Sequence, residues 1–350
     1  MHKHLRIAVL FGVFLTGNGL ADSPTHSGTK PAKIFTDQRV REARVEAPWR
    51  NIQRRKLSDD RWQGLFRYED EQGQEVSIPV EISTRGVTRK RVCDFPPLRL
   101  KFDKQAAKGT AFRGAGRLKL VTHCLDNRKY EQYPIKEYLA YRIYNQLTDM
   151  SFRVQPLQLS YAQDSESKAL VRFAFLIEDA DDVAKRNGLE KLSIKDLAPT
   201  RLQPLTASRF MLFQYLISNL DWSVLSSPEG NCCHNARLIG ASDTAALVVP
   251  VPYDFDSSGL VNAKYAAPPG GLKVRNVRQR LYRGFCQHAG GLQQAMAEFK
   301  AQQEAINGLI EGEPLLDESQ RRYTQRLVDN FYEELGSEAG LNALNDSCRG

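Results

Sequence analysis

The 350-residue sequence predicts an α+β protein, strand-rich in its first half and helix-rich in its second. Three observations carry that reading. Between residues 62 and 122 short segments such as "EVSIPVEIST", "PLRLKF" and "RLKLV" alternate apolar with polar side chains, the period of a half-buried strand. "TASRFMLFQYLISNLDW" then carries a nearly continuous apolar run to Leu220, as a helix buried on all sides would. Two further helical patterns, over 292–310 and 318–335, close the chain. With 41% hydrophobic and 26% charged residues the composition is that of a globular protein, which excludes a disordered or collagen-like chain.

Taken in order, the first residues read as a secretory signal. Lys3 and Arg6 give a positive start, Ile7 to Leu15 an apolar core too short to span a bilayer, and Gly19, Leu20 and Ala21 a small-residue cleavage site. The expected mature chain begins near Asp22, and no later segment reads as transmembrane. Residues 22–45, with Pro24, Gly28 and Pro31, are expected to be a poorly ordered polar leader. A β-rich unit follows over 46–178. Within it "YPIKEYLAYRIYNQLTD" opens on Pro134, tolerated in a first helical turn, and repeats Ile135, Tyr138, Leu139, Ile143 and Leu147 at helical spacing. "RVQPLQLSY" and "VRFAFLIED" are two more strands. The helical unit occupies 179–350 and includes one apolar strand, "ALVVPVPY".

Export changes how the six cysteines are read. An even number in an oxidising compartment favours disulfides, and the spacings fit no zinc pattern. Cys93 with Cys124 is the expected first pair, since both flank strands of one region. Adjacent Cys232 and Cys233 are each expected to reach a distant partner.

The net charge of +8 is modest and much of it is local, in the dense runs 50–56 and 85–91. Such runs attract phosphates or anionic lipid, or form a solvated face. No ribonucleoprotein or helix-turn-helix motif accompanies them, so no specific nucleic-acid partner is expected. A hydrolase is disfavoured because there is no G-x-S-x-G elbow and His123, His234 and His288 stand isolated.

The residues with chemical promise gather around "NCCHNARLIGASDTAALVVPVPYDFDSSG", 231–259. Asp221 lies just past the buried-looking helix, where a carboxylate is held rigidly. Asn235 and Asp254 sit at the two ends of a hairpin, where an amide oxygen and a carboxylate can converge on one hard cation. Ser257 and Gly259 continue a tight loop. Lys119, on a strand, precedes Glu137 on the next helix, and such a pair orients an amine toward phosphates. Lys101 on the neighbouring strand competes for that role. The order is strand Lys, helix Glu, long helix, Asp, Asn, strand, Asp, which is the order in which kinase-type phosphoryl transfer needs its groups.

With these residues in view, the sequence resembles the CotH-like (spore-coat) secreted kinase family. "NLDWS", the "HN" of "CCHNARLI" and "VPYDFDSSG" are similar to its catalytic Asp, metal-binding Asn and metal-binding Asp motifs. "LRLKF", "LKLVTHC", "KEYLAYRIYNQL" and "AFLIED" resemble its first-lobe strands and helix. The similarity spans about half the chain, from Pro97 to Gly259. It implies a two-lobed protein-kinase-like fold and an exported, periplasmic or secreted enzyme dependent on ATP and Mg²⁺ or Mn²⁺. In it Asp221 is the base, Asn235 and Asp254 bind metal with Asp256 supporting their loop, Lys119 or Lys101 holds phosphate, and Glu178 lies at the hinge between lobes. The acceptor would be a hydroxyl on a protein or small molecule. The alternative is a catalytically silent relative that uses the same scaffold to bind a cell-envelope partner. Fourteen positions separate Asp221 from Asn235, where kinase catalytic loops use about five.

Overall fold

The computed structural model describes residues 32–225 and 232–350. The expected signal peptide and the first part of the expected leader lie outside the described residues. The leader's last residues do not stay loose: Arg41–Glu46 form a strand, β1, after a single 3₁₀ turn at Lys33–Phe35.

Around β1 the chain builds a closed barrel. The strands are β2 (Arg61–Glu69), β3 (Glu75–Thr84), β4 (Leu98–Phe102), β5 (Arg117–Val121), β6 (Val154–Ala162) and β7 (Leu170–Ile177). They run in the order β1-β2-β3-β4-β5-β7-β6. Every pairing is antiparallel except the closing one, in which β1 lies parallel to β6 from Arg41 opposite Leu157 to Glu46 opposite Ala162. This contradicts the two-lobed protein-kinase-like class expected from the sequence. A mixed seven-stranded barrel accompanied by nine α-helices among the described residues is what the chain forms. The physical reason is β1 itself, which gives the free edge of β6 a partner and removes the open edge.

The barrel's filling follows from strand periodicity. Ile78, Val80 and Ile82 of β3, Leu98, Leu100 and Phe102 of β4, and Leu118 and Leu120 of β5 all point into one core with Phe66 and Phe112. "LVRFAFLI" of β7 is apolar on both faces because both are covered. Ala174 and Leu176 face the barrel core, while Phe173, Phe175 and Ile177 face a second core shared with the helices.

That second core sits on α3 (Gln132–Leu147) and α5 (Pro204–Leu216). Small helices α1 (Trp49–Arg54) and α2 (Thr88–Val92) occupy barrel connections, and α4 (Ala180–Arg186) follows β7, the last barrel strand. A second sheet, β10-β9-β8, is built from β8 (Glu190–Lys191), β9 (Ala236–Gly240) and β10 (Val249–Pro252). The expected helix over 292–310 is two, α6 (Ala289–Ala301) and α7 (Gln303–Glu311), broken at Gln302. The expected 318–335 helix is α8 (Glu318–Gly336), and α9 (Glu338–Asp346) follows it.

Three disulfides are present. Cys93–Cys124 pairs as the sequence led us to expect, and Cys286–Cys348 ties the C-terminal segment to the chain before α6. Cys232 and Cys233 bond to each other, contrary to the expectation of distant partners, while the other four cysteines pair among themselves. No helix among the described residues is long and apolar enough to cross a membrane.

Candidate functional site

Asp221 is placed by the way α5 ends. Ile217 caps that helix, and Ser218 turns the chain with φ near +51°. The Asn219 side chain then folds the turn: its Oδ1 accepts from the Asp221 amide at 3.1 Å and its Nδ2 donates to Gln214 Oε1 at 2.9 Å. Trp222 Nε1 donates to the Asn219 carbonyl. Arg283 stacks over the Trp222 ring and donates to the carbonyls on both sides of Asp221, Leu220 at 2.8 Å and Trp222 at 3.1 Å. Arg349, beside the Cys286–Cys348 bond, in turn donates to the Arg283 carbonyl.

The long spacing between Asp221 and Asn235 is absorbed by backbone pairing. Ser223 and His234 form an antiparallel bridge with two reciprocal bonds of 3.0 Å. That bridge brings Asn235 beside Asp221. Its Nδ2 donates to the Asp221 carbonyl at 2.7 Å and to Asp221 Oδ2 at 3.1 Å. His234 Nε2 lies 2.7 Å from Asp221 Oδ1. Both carboxylate oxygens are thereby oriented, and each still has room for a further donor.

Asp254 and Asp256 come from the loop after β10. Asn235 and Asp254 both hold left-handed backbone conformations, φ +50° and +63°, which cost a non-glycine residue free energy and concentrate at functional sites. The Asp254 amide donates to the buried Tyr141 hydroxyl at 2.9 Å. The loop then docks against the end of α5 through Gly259 N to the Ser218 carbonyl and Leu260 N to the Ile217 carbonyl. Gly259 is required there, since a Cβ would stand 2.5 Å from the Val277 carbonyl and 2.7 Å from Ser218 Cβ.

These elements converge. Asp221, Asn235, Asp254, Asp256 and Lys119 line one cavity of about 430 Å³. A second cavity of about 610 Å³ adjoins it and shares three cations, Arg99, Lys119 and Arg237. Its walls include Ile177, Leu192, Ile194 and Leu238. Lys101 is not brought to the site; it lies exposed farther along β4, and Arg99 is the cation that strand contributes.

The expected Lys119–Glu137 pair is not formed. Glu137, deeply buried on α3, meets Arg89 at 3.5 Å, and Arg89 Nε stands 3.8 Å from Asp256 Oδ2. Lys119 instead lies over the Tyr253 ring, 3.8 Å from its centre. Glu178 is buried at the end of β7, with both oxygens engaged by Arg186 at 3.0 and 3.2 Å and by the Arg153 amide. It therefore anchors α4 to the barrel and borders the larger cavity, but offers no free carboxylate.

Sequence reasoning missed four site cations: Arg85 and Arg89, which lie in the run 85–91 that reads as surface charge, Arg99 on β4 and Arg237 on β9. Arg85 is the most telling. Its Nε and Nη2 are buried without a hydrogen-bond partner, and its nearest acid is Asp254 at 4.0 Å. Donors left in that state are ready for an anion.

The charges act on one another. Burial, and then repulsion from Arg85 and Arg237, bring the Lys119 amine from its ordinary 10.5 down to about 7, against the pull of Asp254. Burial, then the neighbouring Asp254, raises the Asp256 carboxyl to about 6, against Arg89 and Tyr265. Burial likewise raises Glu137, and Arg89 opposes it.

The Lys119 shift has a testable sign. Between about pH 7 and 10.5 the unfolded chain carries a proton on Lys119 that the folded protein has released, so this residue makes stability rise with pH across that window. Lys119→Met should remove that contribution. In urea unfolding, the variant's stability relative to wild type should be highest near neutral pH and fall toward pH 10; a pH-independent difference rejects the assignment.

Comparison with known proteins finds no family model that matches the chain and no curated protein similar to it.

Proposed function

We propose that this exported protein transfers the terminal phosphoryl group of ATP to a hydroxyl acceptor, as its resemblance to CotH-like kinases implies. The reading rests on the constellation of side chains and not on a two-lobed architecture. The observation that carries it is the pair of adjoining cavities whose common wall is Arg99, Lys119 and Arg237. A nucleoside fits the partly apolar larger cavity, and its phosphates then pass the three cations toward Asp254, Asn235 and Asp221. Paired cysteines throughout the described chain support an oxidising destination.

The donor set suits a magnesium ion that arrives with the nucleotide. Asn235 uses its amide nitrogen on Asp221, which leaves the amide oxygen for a cation, and Asp254 is partly open to the cavity. Asp256 is engaged by Tyr265 and by Arg89, so its place is behind the other two. No group of three or more His, Cys, Asp or Glu able to hold a metal ion by itself exists among the described residues. Magnesium commonly takes one or two protein carboxylates and completes its shell with phosphate oxygens and water. Bound there, it would neutralise charge on the phosphates.

In the transfer, the acceptor oxygen forms a bond to the terminal phosphorus while the bond from that phosphorus to the bridging oxygen breaks, releasing ADP. The hydroxyl proton passes to Asp221. Arg85, Lys119 and Arg237 meet the charge on the transferring group, so catalysis is positioning and electrostatics.

Nucleotide with Mg²⁺ should raise the melting temperature of the oxidised protein by mass action, and Asp254→Ala should abolish the metal-dependent part of the rise. No shift with millimolar-range ATP and either Mg²⁺ or Mn²⁺ would sink the proposal. Binding without transfer to any hydroxyl acceptor would favour the silent binding protein instead.

A further inference from the structure

Two basic runs in the sequence, 50–56 and 85–91, are far apart along the chain but become neighbours in the fold. Lys56 Nζ donates to the Cys93 carbonyl, Lys90 Nζ donates to the Ser58 carbonyl at 3.4 Å, and Thr84 Oγ1 donates to the same Ser58 carbonyl at 3.3 Å. The Cys93–Cys124 disulfide fastens the second run to the barrel. Arg50, Arg54, Arg55 and Arg91 project from the joined surface into solvent.

The same surface carries aliphatic side chains where solvation alone gives no reason for them. Among the described residues five large hydrophobic side chains are exposed, and three of them are here: Leu57 at 64%, Val87 at 62% and Val92 at 45%. Of the acids nearby, Asp60 pairs with Arg55 at 2.7 Å, Asp59 stands exposed 3.9 Å from Lys90, and Asp94 is exposed, so the cations of the two runs outnumber them. Separate aliphatic tips among arginines are poor anchors for a protein partner, whose binding hot spots favour large aromatic rings in packed pockets. They suit a lipid surface, where short apolar tips enter the headgroup boundary and cations pair with anionic phosphates.

We infer that this face docks the protein on an anionic lipid surface. Gly86, Val87 and Thr88 also line the cavity that holds Asp221 and Asp254. Docking therefore brings the mouth of that cavity to headgroup level, within reach of an acceptor carried on the membrane. The docking does not depend on the phosphoryl-transfer reading.

The test is cosedimentation of the full oxidised protein with vesicles of phosphatidylcholine alone and of phosphatidylcholine mixed with phosphatidylglycerol. Binding is expected only to the mixed vesicles, and it should weaken as salt rises. The double variants Leu57→Asp/Val87→Asp and Arg54→Glu/Arg91→Glu should each lose roughly tenfold or more in partitioning, with unchanged melting temperature. Leu57→Trp should gain, which guards against a loss caused by misfolding. Absence of wild-type binding to anionic vesicles overturns the inference. So does binding indifferent to the aliphatic substitutions, which would mean a surface that meets any polyanion or acidic protein through charge alone.

Discussion

Asp221→Asn should lower the rate of phosphoryl transfer by roughly 10²- to 10⁴-fold, the usual worth of a positioned general base. The substitution keeps the shape of the side chain and its place between His234 and Asn235, so the turn built by Asn219 and Arg283 should survive. What it removes is the proton-accepting role proposed for Asp221. Nucleotide binding should therefore persist, with a metal-dependent rise in melting temperature close to that of wild type. Asp254→Ala should show the opposite pattern, losing the metal-dependent rise itself. Single-turnover assays separate binding from chemistry. If Asp221→Asn transfers phosphate as fast as wild type, Asp221 is not the base, and a group elsewhere on the cavity wall must take the proton.

Much of this site could be read from local sequence because its key residues terminate buried elements. Asp221 follows an apolar helix and Asp254 follows an apolar strand. Such positions are fixed by the packing of what precedes them, so the pattern of buried residues locates them in space. The cations were harder to read. Nothing in "RGVTRKRV" distinguishes Arg85 and Arg89 from Lys90 and Arg91; only the burial of Glu137 on α3, more than forty residues away, selects Arg89 as its partner. The same is true of Arg99 over Lys101, which share one strand but differ in how far each lies from the cavity.

The fold divides along similar lines. Strand alternation in "EVSIPVEIST" corresponds directly to Ile78, Val80 and Ile82 in the barrel core, and the Pro134 helix begins within two residues of its expected place. Closure of the barrel left no local mark. β1 contributes only Ala43 and Val45 to the core, and its parallel partner β6 is more than one hundred residues away. A short strand with two inward residues does not stand out from polar surroundings, and parallel pairing carries no turn signal between its strands. The expectation of separate lobes failed at that step.

The largest stability effect is expected at Phe255, the residue between the two aspartates of the "DFD" stretch. Its ring is fully buried, 4.6 Å from the Tyr141 ring and 5.3 Å from the Phe213 ring by their centres. Phe255→Ala should cost about 3–5 kcal/mol, since a large buried ring leaves both lost contacts and a cavity. In urea unfolding the midpoint should fall with the slope unchanged, whereas Phe255→Leu, which keeps more of the volume, should cost considerably less. The consequence for function follows from the neighbours. Tyr141 fixes Asp254 through its hydroxyl and packs on Phe255 through its ring, so one side chain joins the core to the candidate metal ligand. Under conditions where Phe255→Ala remains folded, its metal-dependent nucleotide binding should fall further than its stability alone accounts for. Tyr141→Phe, which keeps the ring and loses only the hydroxyl, should reproduce part of that binding loss with a smaller stability cost. If Phe255→Ala binds nucleotide and Mg²⁺ as wild type does while folded, Asp254 is positioned by its own loop, and the core beneath it contributes only stability.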